Sequence, residues 1–307
     1  MNCFNVNPFS YEQTNCSVNP FALREGSKRP IVQDGDGRLV AVIGAGPAGM
    51  EAAVTLKQRG FDVVVFDKRD EIGGNLHVAK KPPFKGKFEW AIDYYKSMAK
   101  KLNITMKLGK EVTAQEVLAL KPHSILVATG SNVISIPLEG LDQVQTVQAH
   151  DVLANDMQFA NKKVVVIGGG ITGLETALYI NRQGTNQVSV VDMLPEWPVD
   201  MLDMRYQNEA LLEVRHCNDQ GVALFYNNKV VKFADGKLFI ESTKDGEVKE
   251  LPADVIVLSV GVKPNDALWQ ELLASGHPSV WKAGDAIATG KINKAVLHGS
   301  KFGYSLN

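Results

Sequence analysis

Two short glycine-rich stretches constrain this chain of 307 residues more than any other feature. They are Gly44-Ala45-Gly46-Pro47-Ala48-Gly49 and Gly168-Gly169-Gly170-Ile171-Thr172-Gly173, and both have the pattern G-x-G-x-x-G. Each follows a run of β-branched residues and precedes a helical pattern, the context in which this motif indicates dinucleotide binding. The first glycine turns the chain sharply, the second lets a pyrophosphate approach the backbone, and the third lets the helix pack on the sheet. The helix then presents free N–H groups and the positive end of its dipole to the phosphates.

A carboxylate follows each glycine stretch where a ribose hydroxyl would be bound. Asp67 ends the first β-branched strand after the glycines and Asp192 ends the corresponding later strand, each about 20 residues past its glycines. Ordinary strand–turn–helix glycines are the alternative for one copy. Two complete units favour an α/β fold with two Rossmann-like dinucleotide-binding domains.

Composition excludes several classes of function. The net charge is −1 with scattered Lys and Arg, so no nucleic-acid footprint is visible. No apolar run reaches the ~18 residues of a membrane-spanning helix, and the N-terminus does not resemble a signal peptide. Three widely spaced cysteines do not form a disulfide framework. We therefore expect a cytoplasmic protein with no nucleic-acid or membrane partner.

The rest of the chain is expected to fold around these two units. Residues 1–37 are polar and irregular and indicate a connector to something upstream. The second unit is expected to begin near residue 150, and the last helix to dock on the first unit. Helices are predicted at 47–59, 85–102, 172–183, 201–219 and 291–306; short strands at 222–226, 229–233 and 238–242 predict a three-stranded β-meander.

Three further segments fit a cofactor site only in combination. Gly73-Gly74 would bring backbone N–H groups close to a second part of a cofactor, although alone it indicates a simple turn. Ala128-Thr129-Gly130 ends a strand where the chain crosses to a new unit. Ala283-Gly284-Asp285 ends another strand in a carboxylate.

Taken together, these motifs resemble those of the two-dinucleotide-binding flavoproteins. The resemblance implies FAD in a discontinuous domain (38–149 and 262–307), with an NAD(H)-binding domain (150–261) inserted and Asp285 accepting a hydrogen bond from the ribityl chain. The implied FAD contacts are Gly44, Gly46, Ala48, Gly49, Asp67, Gly74, Asn75, Thr129, Gly130, Gly284 and Asp285; the implied NAD contacts are Gly168, Gly170, Thr172, Gly173, Asp192 and Gly261.

A closer resemblance is carried by Gly73-Gly74-Asn75-Leu76, by Pro82-Pro83-Phe84-Lys85 and by Cys16-Ser17-Val18-Asn19-Pro20. These segments resemble the C-terminal half of the old yellow enzyme-type NADH:flavin oxidoreductases, which include 2,4-dienoyl-CoA reductase, enoate reductase and trimethylamine dehydrogenase. The resemblance covers nearly all of this chain but only the rear half of that family's length. It implies hydride transfer from NADH to FAD and onward electron transfer to a [4Fe–4S] cluster and FMN, for reduction of enoate or 2,4-dienoyl-CoA substrates.

The cysteines depart from that family's pattern. Cys3 and Cys16, with residues 4–15 between them, fit the last two of four cluster cysteines. A tetrathiolate cluster needs four ligands, so it would have to be completed by another chain or an upstream segment. The (β/α)₈ barrel that carries FMN in the family is also absent from this sequence. Two incidental cysteines in the connector are the alternative.

The cofactors carry the redox chemistry, so no catalytic side chain is predicted. Asp192 favours NADH over NADPH because a carboxylate repels a 2′-phosphate, although Arg182 or Lys163 could move in to hold one. His298 lies near where the family's flavin ring sits, but a surface or capping histidine is the preferred interpretation.

Other interpretations remain open. Cys217 follows His216, which suggests an activated thiol, but a packed helix residue is favoured. No closely spaced redox cysteine pair exists, so a disulfide relay is not expected. Besides an NADH dehydrogenase module, the chain could be a truncated remnant that binds dinucleotides, or a stand-alone NADH oxidase or diaphorase.

Overall fold

The computed structural model describes residues 16–22, 25–27, 30–195 and 204–307. These residues form two parallel sheets covered by helices and joined by a short ribbon. In chain order the elements are β1 (Leu39–Ile43), α1 (Pro47–Gln58), β2 (Asp62–Phe66), α2 (Leu76–Ala79), α3 (Glu89–Lys101), β3 (Thr105–Lys107), α4 (Ala114–Ala119), β4 (Ser124–Val127), β5 (Ser131–Val133), β6 (Gln145–Gln148), α5 (Ala149–Ala154), β7 (Lys163–Ile167), α6 (Ile171–Asn181), β8 (Gln187–Val191), α7 (Met204–Asp219), β9 (Ala223–Phe225), β10 (Asn228–Ala234), β11 (Lys237–Ser242), β12 (Val248–Pro252), β13 (Val255–Leu258), β14 (Val262–Pro264), α8 (Ala267–Ala274), β15 (Val280–Lys282) and α9 (Ile292–Ser305).

The first sheet, the centre of what we call the first lobe, has the order β15-β4-β1-β2-β3 with all pairs parallel. Side chains alternate between its two faces. Val40 and Val42 pack with α1, α3 and α9, whereas Ala41 and Ile43 pack with α4 and α8. Burial on both faces explains why this strand reads as a continuous apolar run.

The second sheet, the centre of the second lobe, has the order β6-β13-β7-β8-β9 and is also parallel. Val164 and Val166 pack with α5, α6 and α7. Val165 and Ile167 pack instead with the antiparallel strands β10 and β11. Helices therefore cover both faces of the first sheet, whereas helices cover one face of the second sheet and antiparallel strands cover the other.

The β-meander was predicted with two correct strands and one wrong strand. The first predicted strand, 222–226, corresponds to β9, which follows α7 and pairs in parallel with β8 at the sheet edge. The third meander strand is β12, which the prediction omitted. Both hairpin turns, Asp235-Gly236 and Asp245-Gly246, lie where predicted, between β10, β11 and β12.

Short elements without strong periodicity were missed, while the long elements lie within a few residues of their predictions. The missed elements include α4, α5, α8, β6 and the antiparallel ribbon of β5 and β14. Because β6 joins the second sheet, that sheet already begins at Gln145, ahead of the expected residue 150. After the ribbon the chain returns to the first sheet through β15.

The final helix packs on the first lobe, as predicted, along a line of small residues. A Cβ added to Gly299 would lie 2.1 Å from the carbonyl oxygen of Ala48, and one added to Gly303 would lie 2.6 Å from the Cβ of Thr55. Without side chains at these points, α9 approaches α1 closely. This contact places the turn before α9 against the first glycine motif.

The described part of the N-terminal connector is tied to the same two helices. Asp34 forms an ion pair with Arg59 at 2.6 Å, and the guanidinium of Arg59 also donates to the carbonyl oxygens of Gly303 and Leu306. Arg59 thus links the connector, the end of α1 and the end of α9. Across the described residues, no helix has both the length and the apolar character needed to cross a membrane.

Candidate functional site

The first glycine turn is sterically restricted to glycine at two positions. Gly44 has φ +113°, and a Cβ there would lie 2.2 Å from the carbonyl oxygen of Ala128. A Cβ on Gly49 would lie 1.9 Å from the carbonyl oxygen of Gly44. The predicted roles of the first and third glycines therefore agree with the geometry: one turns the chain, and the other brings α1 onto the turn.

Gly46 has a different environment from these two glycines. An added Cβ would meet only the Cα of Gly74, at 3.9 Å. Gly46 is the residue that precedes α1, a helix of 12 residues, and no side chain caps this N-terminus. Free backbone N–H groups at the start of such a helix suit a phosphate.

Asp67 reaches back from the end of β2 to this turn. Its Oδ2 accepts a hydrogen bond from the backbone N–H of Ala45 at 2.7 Å, and its Oδ1 accepts one from the N–H of Arg69 at 2.8 Å. The carboxylate is therefore held beside the glycine turn by backbone donors. This is where the sequence predicts contact with a ribose.

The Gly73-Gly74 segment lies directly on the glycine turn. The N–H of Gly73 donates to the carbonyl oxygen of Ala45 at 2.9 Å, and Gly74 has φ +54° with Gly46 in contact. Arg69 donates to the carbonyl oxygen of Gly74 at 2.8 Å. Asn75 follows and is exposed. The double glycine is thus part of the site rather than a remote turn.

The Gly284-Asp285 turn approaches the same place from the far end of the chain. A Cβ on Gly284, which has φ +64°, would lie 3.0 Å from the Cβ of Ala48. Asp285 accepts hydrogen bonds from the N–H of Gly290 at 3.1 Å and from the hydroxyl of Ser131 at 3.4 Å. Burial raises the pKa of Asp285, while these two hydrogen bonds lower it by less.

Thr129 and Gly130 lie beside this turn at the start of the crossover. The hydroxyl of Thr129 donates to the carbonyl oxygen of Asn265 at 2.5 Å, and Gly130 has φ +77°. All the predicted FAD segments therefore converge around the N-terminus of α1.

His298 belongs to this cluster and is half-buried rather than a surface residue. Burial lowers its pKa most, Lys301 and Lys294 lower it further, and a hydrogen bond with the Gly284 backbone and the charge of Asp285 oppose these effects. Among the described residues its Nδ1 is buried and has no hydrogen-bond partner. The lowered pKa favours the neutral form of this imidazole.

The second glycine turn repeats the geometry of the first. Gly168 has φ +107°, and a Cβ there would lie 2.2 Å from the carbonyl oxygen of Ser259. A Cβ on Gly173 would lie 1.9 Å from the carbonyl oxygen of Gly168. Gly170, the residue before α6, has no atom within 4 Å of an added Cβ, and Thr172 in the first helical turn is exposed.

Asp192 occupies the position that corresponds to Asp67. Its Oδ2 accepts from the N–H of Gly169 at 2.6 Å and its Oδ1 from the N–H of Leu194 at 2.8 Å. Arg182 is directed elsewhere, because it donates to Gln220 at 3.3 Å. Lys163 begins β7, at the opposite end of the sheet from Asp192.

Gly261 lies at the second crossover, just before β14, with φ +101°. The N–H of Ile134 donates to its carbonyl oxygen at 3.0 Å. Gly261 therefore joins the second lobe to the ribbon, close to the carbonyl of Ser259 that closes the glycine turn.

Both turns fit a dinucleotide by the same test. At the first and third glycines the backbone fills the space that a side chain would need, whereas at Gly46 and Gly170 the space is open. A pyrophosphate could approach there and meet the N-terminus of α1 or α6. The carboxylates of Asp67 and Asp192 lie beside these positions, where a ribose would follow the pyrophosphate.

The described residues do not by themselves supply a complete set of ligands for an iron–sulfur cluster. Cys3 lies outside them, and Cys16 is half-buried and unpaired by any disulfide. No group of three or more His, Cys, Asp or Glu that could hold a metal ion occurs within the described ranges. Cys217 is a buried core residue, and burial, together with the charge of Glu213, raises its pKa to about 12. The packed interpretation of Cys217 is therefore correct.

Comparison with known proteins assigns this geometry to a family. The family model described as pyridine nucleotide-disulphide oxidoreductase matches residues 38–296. The chain belongs to this family. It is therefore an FAD-dependent oxidoreductase module that uses a nicotinamide dinucleotide, as the resemblance of its motifs implied.

Two curated relatives align with most or all of this chain. An NADH oxidase of Thermoanaerobacter brockii is 32% identical and aligns with 99% of this chain but 46% of its own length. A bilirubin reductase of Mediterraneibacter gnavus is 34% identical over 78% of this chain and 36% of its own. The chain thus spans less than half the length of these relatives.

Two solved structures share the fold of this chain. The complex of 2-naphthoyl-CoA reductase with 2-naphthoyl-CoA superposes with a TM-score of 0.85 at 29% identity, covering 95% of this chain and 44% of that one. The Lactococcus lactis thioredoxin reductase shares the fold, with a TM-score of 0.68 at 17% identity over 88% of this chain and 100% of its own. The predicted resemblance to the C-terminal FAD/NAD-binding half of the old yellow enzyme-type NADH:flavin oxidoreductases is confirmed.

Several residues of the site were not found from the sequence. Nη2 of Arg69 lies 3.5 Å from Nε2 of His150, and the same Nε2 lies 3.4 Å from Oδ1 of Asn75. These two contacts join the two lobes. Ser131 contacts Asp285 from the ribbon. No local pattern indicates these residues, because their partners lie more than 70 residues away in the chain for His150 and more than 150 for Ser131.

Proposed function

We propose that the first lobe binds FAD, that the second lobe binds NADH, and that the module takes hydride from NADH and passes electrons to an acceptor held elsewhere. One observation supports this assignment above the others. The Gly284-Asp285 turn packs on the helix that follows the first glycine turn, and the described residues show no counterpart of it at the second. The first site is therefore more enclosed than the second, which suits a cofactor that stays bound.

The chain's own residues would bind and orient the two cofactors. The N-termini of α1 and α6 would each meet a pyrophosphate beside Gly46 and Gly170, and Asp67 and Asp192 would accept hydrogen bonds from ribose hydroxyls. When bound, FAD and NADH supply the hydride chemistry. We therefore assign no catalytic side chain and propose the predicted FAD and NAD contacts as binding residues.

NADH is the proposed donor rather than NADPH. The carboxylate of Asp192 stands at the ribose position, and the two candidate cations are directed elsewhere: Arg182 toward Gln220, and Lys163 at the far end of the sheet. Neither of these two cations is therefore positioned to hold a 2′-phosphate beside Asp192.

The acceptor is proposed from the relatives. The chain covers less than half of proteins named as reductases of bilirubin, cinnamate and 2-naphthoyl-CoA. We propose that a barrel domain or subunit, with FMN and a cluster to which Cys3 and Cys16 contribute, receives the electrons and reduces an unsaturated substrate. The expected cytoplasmic location also stays a prediction.

A second candidate is an NADH oxidase or diaphorase. An NADH oxidase aligns with 99% of this chain, and the second glycine turn is open to solvent. Electrons would then pass to oxygen or to a small dye rather than to a barrel.

Anaerobic titration separates these possibilities. The purified chain is loaded with FAD and NADH is added while the flavin absorbance near 450 nm is followed. We expect bleaching within one equivalent of NADH; a flavin that stays oxidised under excess NADH contradicts the proposal. Slow reoxidation by air, but fast reoxidation by a separately prepared barrel domain, supports the module over the oxidase, and iron analysis reports whether the chain holds a cluster.

A further inference from the structure

Residues 81–85 of the first lobe, here called the clasp, contact the second lobe with several side chains. The ammonium of Lys81 donates to Asp156. The ammonium of Lys85 lies 2.8 Å from a carboxylate oxygen of Glu175 and 3.9 Å from one of Glu213. The clasp thus reaches α6 and α7 from the loop that follows the double glycine of the first site.

Phe84 holds a strained position in the clasp. Its φ is +67°, a left-handed conformation that costs energy for a residue with a side chain, and it is 72% exposed. Its ring lies 5.3 Å from the ring of His216, and the guanidinium of Arg182 lies 4.6 Å from its centroid. A strained residue that is kept exposed to contact another lobe indicates a constraint from function rather than from folding.

No apolar core fixes the orientation of the two lobes within the described residues. Each of the four buried hydrophobic clusters lies inside one lobe. The chain crosses between lobes in the β5–β14 ribbon, which is preceded by Gly130 at φ +77° and Gly261 at φ +101°. Two glycines at the crossovers and a polar interface make relative motion of the lobes the default expectation.

Glu175 connects the clasp to the second nucleotide site. It lies on α6, two residues after Gly173, and the N-terminus of that helix is the proposed pyrophosphate site. The ion pair with Lys85 is well shielded, since only 16% of the Lys85 side chain and 13% of the Glu175 side chain are exposed. Through this ion pair, the clasp constrains the position of the helix proposed to bind NADH relative to the first lobe.

We propose that Lys85 and Phe84 are positioning residues that hold the second lobe in the orientation in which the nicotinamide faces the flavin. This inference rests on the proposed function. It assigns to the clasp the alignment of two bound rings, not the binding of either nucleotide. Hydride transfer depends steeply on such alignment.

The first test uses Lys85→Met, which removes the charge and keeps most of the apolar stem. The matched control is Lys87→Met. Lys87 lies two residues further along the chain, but its ammonium lies over the ring of Trp90 in its own lobe, 5.6 Å from the ring centroid. In anaerobic stopped-flow experiments we expect Lys85→Met to lower the limiting rate of flavin reduction about tenfold or more. The NADH concentration for half-maximal rate should stay within about twofold, and the long-wavelength charge-transfer absorbance of the NADH–flavin complex should weaken. Wild-type rate and absorbance in Lys85→Met would overturn the proposal.

The second test does not depend on activity. Hydrogen–deuterium exchange of the nucleotide-free chain should show faster exchange at residues 81–88 and in the β5–β14 ribbon of Lys85→Met, with β1 and β7 unchanged. Unchanged exchange at the clasp and ribbon counts against the proposal. The charge swap Lys85→Glu with Glu175→Lys should restore most of the reduction rate lost in Lys85→Glu alone, and failure of this rescue also contradicts it. If wild-type flavin is not reduced by NADH, the proposed function fails, while the exchange experiment still tests the clasp.

Discussion

The first glycine turn is enclosed by other parts of the chain, whereas the second opens to solvent. Gly74 lies against Gly46, and the Gly284 turn and α9 both pack on Ala48. At the second turn Gly170 is exposed, and no atom of the described residues lies within 4 Å of an added Cβ. The hydrogen bonds of Asp67 and Asp192 are nevertheless the same in kind and differ by about 0.1 Å (2.7 against 2.6 Å to the turn).

We propose that the same motif serves two kinds of cofactor in this chain. In this proposal the backbone turn binds a pyrophosphate in both lobes, and the surrounding elements set how easily the cofactor leaves. An enclosed site suits a group that stays bound through many turnovers, and an open one suits a donor that must exchange in each turnover. The assignment of FAD to the first lobe and NADH to the second follows this reasoning.

The largest expected effect comes from Gly49→Ala compared with Gly173→Ala. Each added Cβ would lie 1.9 Å from a backbone oxygen, so each variant should lose about 3 kcal/mol of unfolding free energy. Gly49→Ala should also lose bound FAD, whereas Gly173→Ala should stay yellow but fail to be reduced by NADH. Urea unfolding and flavin absorbance measure both; equal flavin loss in the two variants would remove the distinction between the lobes.

Gly46→Ala and Gly170→Ala should separate binding from folding. Both positions have ordinary extended backbone and room for a methyl group, so the only cost to folding is the poorer N-cap preference of alanine, about 1 kcal/mol or less of unfolding free energy. The methyl group would occupy the space proposed for a pyrophosphate. We expect FAD affinity to fall about tenfold or more in Gly46→Ala and NADH affinity to fall similarly in Gly170→Ala. Fluorescence titration with each nucleotide checks this, and unchanged affinities would place the pyrophosphates elsewhere.

Asp192→Asn tests the nucleotide preference of the open site. Removing the charge while keeping the size should reduce the preference for NADH over NADPH about tenfold, because the repulsion of a 2′-phosphate is lost. The measurement is kcat/KM for flavin reduction with each donor. Asp67→Asn is the control from the enclosed site, and it should change FAD retention without altering the ratio. A preference that is unchanged in Asp192→Asn would mean that another residue sets it.

The smallest effect is a change of unfolding free energy with pH, which we expect from Cys217, buried in the second lobe, whereas Cys16 of the connector is half-buried. Burial raises the pKa of Cys217 to about 12, while an unfolded thiol titrates near 9. Between these values the unfolded chain has lost the proton and the folded chain has kept it, so stability is fully present below pH 9 and falls as the pH rises above it. Cys217→Ala lacks this term, so its deficit against wild type should shrink by about 1 kcal/mol between pH 8 and pH 10.

Urea unfolding at both pH values measures that change, and a constant deficit would contradict the pKa. Iodoacetamide offers a second check, because it should label Cys16 in the folded chain and leave Cys217 unmodified. Cys217 would then be confirmed as a packing residue.

Local patterns determined the two strand–glycine–helix units and the carboxylates at Asp67 and Asp192. They succeed because the steric demands on Gly44, Gly49, Gly168 and Gly173 arise within or next to one turn, and because buried parallel strands are continuous apolar runs. The long amphipathic helices were predicted because their apolar residues recur at helical spacing.

Tertiary structure alone decided the rest. The assignment of β9 to the parallel sheet, the approach of α9 to α1, and the contacts of the clasp with α6 and α7 join residues far apart in the chain. These contacts leave no periodic pattern in the sequence, because a short strand or a lysine has the same local sequence whichever partner it contacts. The sequence by itself therefore determined that two dinucleotides could be bound, while three-dimensional packing decided which site is enclosed and how the two lobes face each other.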